Sequence, residues 1–188
     1  MIMIYAGLLL WIGVHLFPSV APTAKQRILA RVGGNAYQGL FALLVLAGLL
    51  LIIFGWRGTL PTQVYVPPTG MRHPGMLLAA LGILLFVASN FPSRIKRIIR
   101  HPQLTGVLLW SLAHLSMNGD SRSLTVFGAL AAWSIVSMLT INRREGTWVK
   151  PAPGMGWGME LVMIVVGLVV AMLIVRFHQY LSGMALIG

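Results

Sequence analysis

Six long apolar stretches, separated by short polar connections, follow one another along the chain. They lie at about residues 2–20, 36–57, 75–92, 102–117, 122–141 and 157–177. A helix needs about 20 residues to cross the roughly 30 Å hydrocarbon core of a bilayer. The pattern therefore predicts an all-α fold, a polytopic integral membrane helical bundle with about six transmembrane helices. The fourth stretch is short, so we expect it to be tilted or to turn back together with the fifth.

The composition supports this class and excludes a soluble enzyme. Of the 188 residues, 57% are hydrophobic and 9% are charged, whereas a soluble domain has about 25% charged residues. The longest connection, about 58–74, is rich in turn residues and too short to fold alone. We therefore expect one transmembrane domain over residues 1–188. The absence of cysteine excludes disulfides, zinc–thiolate sites, iron–sulfur clusters and covalently attached c-type haem.

The basic residues predict how the chain is oriented in the membrane. The net charge is +11, but the basic residues lie between apolar stretches, so we expect a lipid bilayer as partner and no nucleic acid. Alternate connections carry ten basic residues on one side and four on the other, and the ten are Lys25, Arg27, Arg31, Arg94, Lys96, Arg97, Arg100, Arg143, Arg144 and Lys150. Because cytoplasmic loops are enriched in Lys and Arg, we expect a multi-pass protein of the bacterial cytoplasmic (inner) membrane with both termini extracytoplasmic.

Three histidines are the candidate chemical groups within the apolar stretches. His15 lies near the end of the first stretch, His101 opens the fourth, and His114 lies inside the fourth. A polar group in hydrocarbon is costly unless it has a partner. Neutral imidazole is a good ligand for haem iron, and a helical bundle can hold haem between facing helices. The alternative is that each histidine forms a hydrogen bond to a neighbouring helix.

The depth of each histidine bears on which two can share one iron. His15 and His101 both lie near the predicted cytoplasmic ends of their helices, whereas His114 is thirteen residues beyond His101, about 20 Å along a straight helix. Depth therefore favours His15 with His101. Pairing His15 with His114 requires the fourth stretch to be strongly tilted or to form a shallow hairpin with the fifth.

The charged residues near helix ends have simpler interpretations. Asp120 follows Asn118-Gly119 and is expected to cap the fifth helix. Glu160 lies in the first turn of the sixth helix, where the helix dipole favours a carboxylate, and it can pair with Arg143 or Arg144. The basic run from Arg94 to Arg100 is expected to bind lipid phosphates, or the propionates of a haem.

One block of the sequence resembles a known family. Residues 101–120, His-Pro-Gln-Leu-Thr-Gly-Val-Leu-Leu-Trp-Ser-Leu-Ala-His-Leu-Ser-Met-Asn-Gly-Asp, followed by Ser-Leu-Thr-Val-Phe-Gly at 123–128, closely resemble the NnrU family. The stretch Gly-Asn-Ala-Tyr-Gln-Gly-Leu-Phe-Ala-Leu at 34–43 and the histidine near the end of the first apolar stretch also fit. The resemblance covers nearly the whole chain.

This resemblance implies a function that the residue pattern alone does not. The NnrU name is tied to denitrification, and a plant relative, 15-cis-zeta-carotene isomerase, is a haem b membrane enzyme. Histidines matching His15 and His114 are the proposed axial ligands in that relative, and His101 matches a further histidine of the same motif. The resemblance therefore favours His114 as second ligand, whereas depth favours His101. Ligand exchange at the iron is a hypothesis that reconciles the two.

A more distant resemblance is to isoprenylcysteine carboxyl methyltransferases and methanethiol methyltransferases. The shared feature is an Arg-His-Pro-x-x-x-Gly start to a membrane helix, here Arg100, His101, Pro102 and Gly106. In those enzymes the region binds S-adenosylmethionine, with a Glu-Glu motif after the following hairpin. This chain has Arg143-Arg144-Glu145 there, with one acid, which puts methyl transfer in doubt.

Three functions from different classes follow. The leading one is an NnrU-type membrane protein that binds one haem b between the first and fourth helices. Its iron would be held by His15 and either His114 or His101, with Arg100 neutralising a propionate. Its role would be redox, isomerase-like or accessory to nitrogen-oxide metabolism, with a membrane redox partner or a second copy as partner. The alternatives are an S-adenosylmethionine-dependent methyltransferase-like protein and a non-catalytic assembly or partner subunit.

Overall fold

A computed structural model describes residues 1–152 and 156–184, and within them the chain is helical. The α-helices are α1 (Ile2–Val20), α2 (Pro22–Val32), α3 (Gly34–Arg57), α4 (Arg72–Ala88), α5 (Pro102–Met117), α6 (Ser121–Glu145) and α7 (Trp157–Ser182), with a 3₁₀ helix at Arg94–Arg97. The described residues form no strand, and Gln63 and Asp120 make one isolated β-bridge. The all-α class predicted from the sequence is therefore confirmed.

Not all of the six predicted apolar stretches form helices of membrane-crossing length. Four helices in the described part of the chain, α1, α3, α6 and α7, are long and apolar enough to cross a membrane. Helices α4 and α5 have 17 and 16 residues and fall below the length expected of a full crossing. The structure thus supports a membrane protein, but it does not confirm six spans.

Helix α2 was not predicted, since residues 21–33 were interpreted as a loop. Its three basic residues interrupt the apolar pattern, but Pro22 at the first helical position suits a helix start. It ends at Gly33, whose φ of 79° favours glycine. Because Gly33 also precedes α3 directly, α2 and α3 meet at a single residue.

The chain divides into two compact units, Met1–Pro61 and Thr62–Gly188. In the first unit α1 and α3 pack antiparallel, and their backbones meet at glycines. A Cβ on Gly7 would lie 2.7 Å from the carbonyl oxygen of Gly48, and one on Gly55 would lie 2.8 Å from the Ile4 nitrogen. Close approach at small residues is a common way for membrane helices to associate. Whether the whole chain acts as one domain stays a prediction.

In the second unit α5 is the central helix, packed against α4 on one side and α6 on the other. Helices α4 and α5 are antiparallel and cross at Gly82 and Gly106. Helix α7 packs against α4, where Gly167 faces the side chain of Leu84. This packing places α5, which begins directly after His101 and carries His114, between α4 and α6.

The segment 62–65 lies across the turn between α5 and α6. The backbone N–H groups of Val64 and Tyr65 donate to the Gly119 carbonyl at 2.8 and 3.0 Å, and the Ser121 N–H donates to the Thr62 carbonyl at 2.8 Å. Asp120 caps α6, as predicted, by accepting from the N–H groups of Arg122 and Ser123. The end of α5 that carries His114 is thus covered by protein.

Glu160 has different partners from those expected. Its carboxylate accepts a hydrogen bond from the Arg94 backbone N–H at 2.7 Å and another from the Ser93 hydroxyl at 3.1 Å. It therefore ties the start of α7 to the 3₁₀ helix that follows α4. The expectation that it pairs with Arg143 or Arg144 was wrong, because α7 packs on α4 and not on the end of α6.

Candidate functional site

His15 is held by a backbone acceptor one helical turn earlier. In α1 its Nδ1 lies 2.7 Å from the carbonyl oxygen of Trp11. The imidazole ring lies against the Trp11 ring, with centroids 3.8 Å apart, and meets the edge of Phe41 from α3 at 5.4 Å. Two aromatic rings from two helices of the first unit thus set the orientation of this imidazole.

His114 has the same local arrangement in the second unit. In α5 its Nδ1 lies 2.8 Å from the carbonyl oxygen of Trp110. Its ring contacts the Trp110 ring at a centroid distance of 4.4 Å and stacks on Phe127 of α6 at 4.2 Å. Phe127 is itself buried, at 7% exposure, so α6 holds the stacking ring in place.

The two histidines therefore share one protonation pattern. A carbonyl oxygen can only accept a hydrogen bond, so Nδ1 carries the proton and donates in both rings. In a neutral imidazole the lone pair available to a ligand is then on Nε2. Metal-ligating histidines commonly have this arrangement, in which the second nitrogen donates to a carbonyl or carboxylate. In this tautomer Nε2, and not Nδ1, is the nitrogen of each ring whose lone pair can coordinate a metal.

His101 differs from this pattern. Its Nε2 lies 2.9 Å from the Oδ1 of Asn142 on α6, and because an amide oxygen accepts, Nε2 is the donor nitrogen. His101 is also the N-cap residue of α5, which begins at Pro102. Its ring joins the start of α5 to the end of α6, so its bonding is that of a structural histidine.

Arg100 lies beside His101 in a charged cluster at the same end of α5 and α6. Its guanidinium donates to the Gly146 carbonyl at 2.8 Å and approaches the Glu145 carboxylate at 3.7 Å. Glu145 is half-exposed and also contacts Arg144 at 3.2 Å. The cluster is thus formed from the ends of two adjacent helices, and Gly146, at φ 68°, turns its carbonyl toward Arg100.

Of the predicted site residues, Arg100, His101 and His114 belong to the second unit and His15 to the first. The structure brings Arg100 and His101 together at the start of α5, but it separates them from His114, which is in the last turn of the same helix. Thirteen residues of straight helix correspond to about 20 Å. His101 and His114 are therefore not two ligands of one iron.

The sequence analysis missed the two phenylalanines and the two carbonyl acceptors. Phe41 and Phe127 belong to different helices from their histidines, so no pattern within one helix indicates them. A Trp-x-x-x-His spacing occurs in both helices and puts Trp11 and Trp110 on the same helix faces as His15 and His114. That spacing, repeated in α1 and α5, was the available signal.

The described residues contain no group of three or more His, Asp or Glu side chains that can hold a metal ion. An isolated ion held by protein side chains alone has no support there. A haem needs only one or two protein ligands, because the porphyrin supplies four. A single imidazole with the bonding of His15 or His114 has the chemistry of such a ligand.

Comparison with known protein families assigns the chain to one of them. A family model described as NnrU protein matches residues 3–186. The chain belongs to the NnrU family. The match spans nearly the whole chain, which confirms the resemblance found in residues 34–43 and 101–128. No curated protein and no solved structure matches the chain significantly.

Proposed function

We propose that this NnrU-family protein is an integral membrane protein that binds haem b, with His15 and His114 as the axial ligands of the iron. The observation that carries the proposal is the common geometry of the two imidazoles. Both donate Nδ1–H to the carbonyl of a tryptophan four residues earlier, so both have the Nε2 lone pair that iron requires.

The residues around each imidazole have a defined part in this proposal. The carbonyls of Trp11 and Trp110 hold the proton on Nδ1 and prevent the rings from turning over. Phe41 and Phe127 contact the ring faces or edges and exclude water from the ligand nitrogen. Arg100, which the sequence suggested as the partner of a propionate, lies at the opposite end of α5 from His114. It therefore suits a haem held by His101 better than one held by His114.

Haem b, when bound, supplies one-electron redox chemistry, or a coordination position for a small molecule if one axial ligand is displaced. We infer a redox, isomerase-like or accessory role in nitrogen-oxide metabolism from the family. Residence in the bacterial inner membrane, and a redox partner or second copy there, belong to the same proposal.

The optical spectrum of the detergent-purified protein tests the proposal. We expect a sharp Soret band and, after reduction with dithionite, the split bands of a six-coordinate b-type haem, with haem b identified as its pyridine haemochrome. The matched variants are His15→Ala, His114→Ala and His101→Ala. The first two are expected to lose the six-coordinate spectrum, and the third to keep it.

Two results would contradict the proposal. A protein that stays colourless when produced with excess haem would remove haem binding altogether. A six-coordinate spectrum that survives His114→Ala but is lost in His101→Ala would show that His101 is the ligand.

A second candidate function has one observation in its favour. Arg100, His101, Arg144 and Glu145, which the methyltransferase resemblance points to, do lie together at one end of α5 and α6. Binding of S-adenosylmethionine by a colourless protein, measured by calorimetry and lost in Glu145→Gln, would favour this function over haem binding. A colourless protein that binds neither ligand and purifies with another membrane protein would favour an assembly or partner subunit.

A further inference from the structure

Helix α2 has a basic surface, and the unit to which it belongs contains no acidic side chain that could neutralise it. The chain from Met1 to Pro61 contains Lys25, Arg27, Arg31 and Arg57, and it contains neither Asp nor Glu. We propose that α2 is a binding site for the headgroups of anionic phospholipids, with Arg27 and Arg31 as the residues that contact the phosphate.

The acidic side chains of the chain are used elsewhere. Asp120 caps α6 and contacts Arg122. Glu145 pairs with Arg100 and Arg144, and Glu160 accepts from Ser93 and Arg94. All three lie in the second unit, and over the described ranges none forms a salt bridge with α2. The counter-charge for α2 must therefore come from outside these side chains.

The side chains of α2 are arranged on two faces. Ile28 and Leu29 are half-buried, and Arg27 and Arg31 are exposed. Residues four apart on a helix lie on one face, about one turn from each other, so the two guanidiniums project side by side. Guanidinium groups bind phosphate oxygens in a bidentate manner. This pair can hold one headgroup phosphate.

Lys25 belongs to the other face of α2. It is half-buried, and its Nζ lies 6.0 Å from the centroid of the Tyr37 ring in α3. That contact holds α2 against the start of α3, since α2 and α3 meet at Gly33. Lys25 is thus an anchor for the helix, and Arg27 and Arg31 remain directed away from the unit.

The position of α2 selects lipid as the occupant. It follows α1 after Ala21 and precedes α3 after Gly33, and both neighbours are candidate membrane spans. A helix joined so closely to two spans lies at the membrane surface, at the level of the lipid phosphates. Short helices with apolar residues on one face and basic residues on the other bind at that level, and anionic lipids strengthen the binding.

Native mass spectrometry of the purified full-length protein tests the site. The probes are phosphatidylglycerol, which is anionic, and phosphatidylcholine, which is not, each titrated into the detergent solution. We expect wild-type protein to bind the first phosphatidylglycerol more tightly than phosphatidylcholine. Each basic residue near an anionic surface contributes about a five-fold factor, so Arg27→Gln/Arg31→Gln is expected to weaken phosphatidylglycerol binding by about 30-fold.

Two further variants show whether the effect depends on the position of the charge and on the charge itself. Arg143→Gln/Lys150→Gln removes the same charge from two exposed positions at and after the end of α6 and is expected to change binding at most a few-fold. Arg27→Lys/Arg31→Lys retains the charge and is expected to recover most of the affinity. Circular dichroism confirms that each variant keeps its helices.

Three outcomes would contradict the proposed lipid site on α2. It is excluded if wild-type protein shows no preference for phosphatidylglycerol, a measurement that needs no variant. It is also excluded if both Gln pairs weaken binding equally, because the effect would then be one of net charge. Displacement of the lipid by millimolar inorganic phosphate would show a free-anion site instead of a lipid site.

Discussion

At the scale of single residues, the Asp120 carboxylate accepts more hydrogen bonds in the described structure than the carboxylates of Glu145 and Glu160 do. Its Oδ1 accepts from the N–H groups of Arg122 at 3.0 Å and Ser123 at 3.2 Å, and its Oδ2 accepts from the Ser123 hydroxyl at 2.6 Å. Partial burial by itself would raise the pKa of this carboxyl. The hydrogen bonds from Ser123, and then those of Arg122 with its charge, outweigh burial and lower the pKa below its usual range.

This lowered pKa predicts how stability depends on pH. Because Asp120 releases its proton more readily in the folded protein, it stabilises the fold above its ordinary pKa of about 4, and that contribution is lost as the pH falls below it. We expect the unfolding temperature in detergent to decrease between about pH 5 and pH 3. Asp120→Asn should be about 1 kcal/mol less stable at pH 7, with a weaker pH dependence. An unchanged pH profile in this variant would contradict the assignment.

Tyr65 attaches the segment 62–65 to the end of α5. Its hydroxyl donates to the carbonyl of Leu115 and contacts that of Asn118 at 2.9 Å. Tyr65→Phe removes the hydroxyl and leaves the ring, so we expect a loss of about 1 kcal/mol and faster amide hydrogen exchange at Val64 and Tyr65. Tyr37→Phe, in the other unit, is the matched control. Equal exchange in the wild type and Tyr65→Phe would show that the backbone hydrogen bonds alone hold the segment.

At the scale of elements, the contact between α4 and α5 depends on two glycines. A Cβ on Gly106 would lie 2.5 Å from the Gly82 carbonyl oxygen and 2.9 Å from the Phe86 nitrogen. Both atoms are backbone, so a larger residue can be accommodated only if the helices move apart. The neighbouring His114 and Trp110 would then lose their position relative to α4.

Replacement of Gly106 by alanine is therefore expected to destabilise the second unit by about 1–3 kcal/mol. Gly128→Ala on α6 is the control, because nothing lies within 4 Å of a Cβ there, and alanine favours helix over glycine. Thermal unfolding of both variants in the same detergent measures the difference. Similar unfolding temperatures for the two would mean that α4 and α5 do not meet as closely as described.

The ends of most helices were predicted from the apolar pattern, because a helix that crosses a membrane must be predominantly apolar over about 20 residues. Predicted stretches 2–20 and 102–117 coincide with α1 and α5, and the others differ by a few residues. Helix α2 was missed because its polar residues resemble a loop. Its helical character depends on Pro22, Gly33 and packing against its neighbours, which a hydropathy pattern does not contain.

At the scale of the whole molecule, the packing of α5 along α6 in the second unit indicates how many times the chain crosses the membrane. Helix α5 runs beside α6, since a three-residue turn joins them at one end and Asn142 meets His101 at the other. Helix α6 has 25 residues, about 37 Å, which is enough to cross the membrane. A helix that lies along most of this length crosses with it, so we expect α4 and α5 to cross despite being short. The proposed pairing of His15 with His114 then requires α5 to be strongly tilted in the membrane.

Single cysteines test this expectation, because the natural chain contains none. Thr69→Cys lies before α4 and Ile98→Cys after the 3₁₀ helix, and both positions are exposed. With six crossings, a membrane-impermeant thiol reagent applied to intact cells labels position 69 and not position 98. Labelling of both positions would show that the α4–α5 hairpin does not cross. Gln26→Cys reports the side on which α2 lies, and the proposed orientation predicts no labelling there.

The sequence by itself determined the membrane class, the all-α fold, the helix cap at Asp120 and the family, because each depends on residues that are near one another in the chain. Hydrocarbon accepts only apolar helices, and a cap needs one side chain at one position. The partners of Glu160, the helical state of α2 and the bonding of the histidines came only from the tertiary structure. His101 and His114 are both histidines on α5, and only the atoms they meet, an amide of α6 or a carbonyl of α5, decide which nitrogen each one offers.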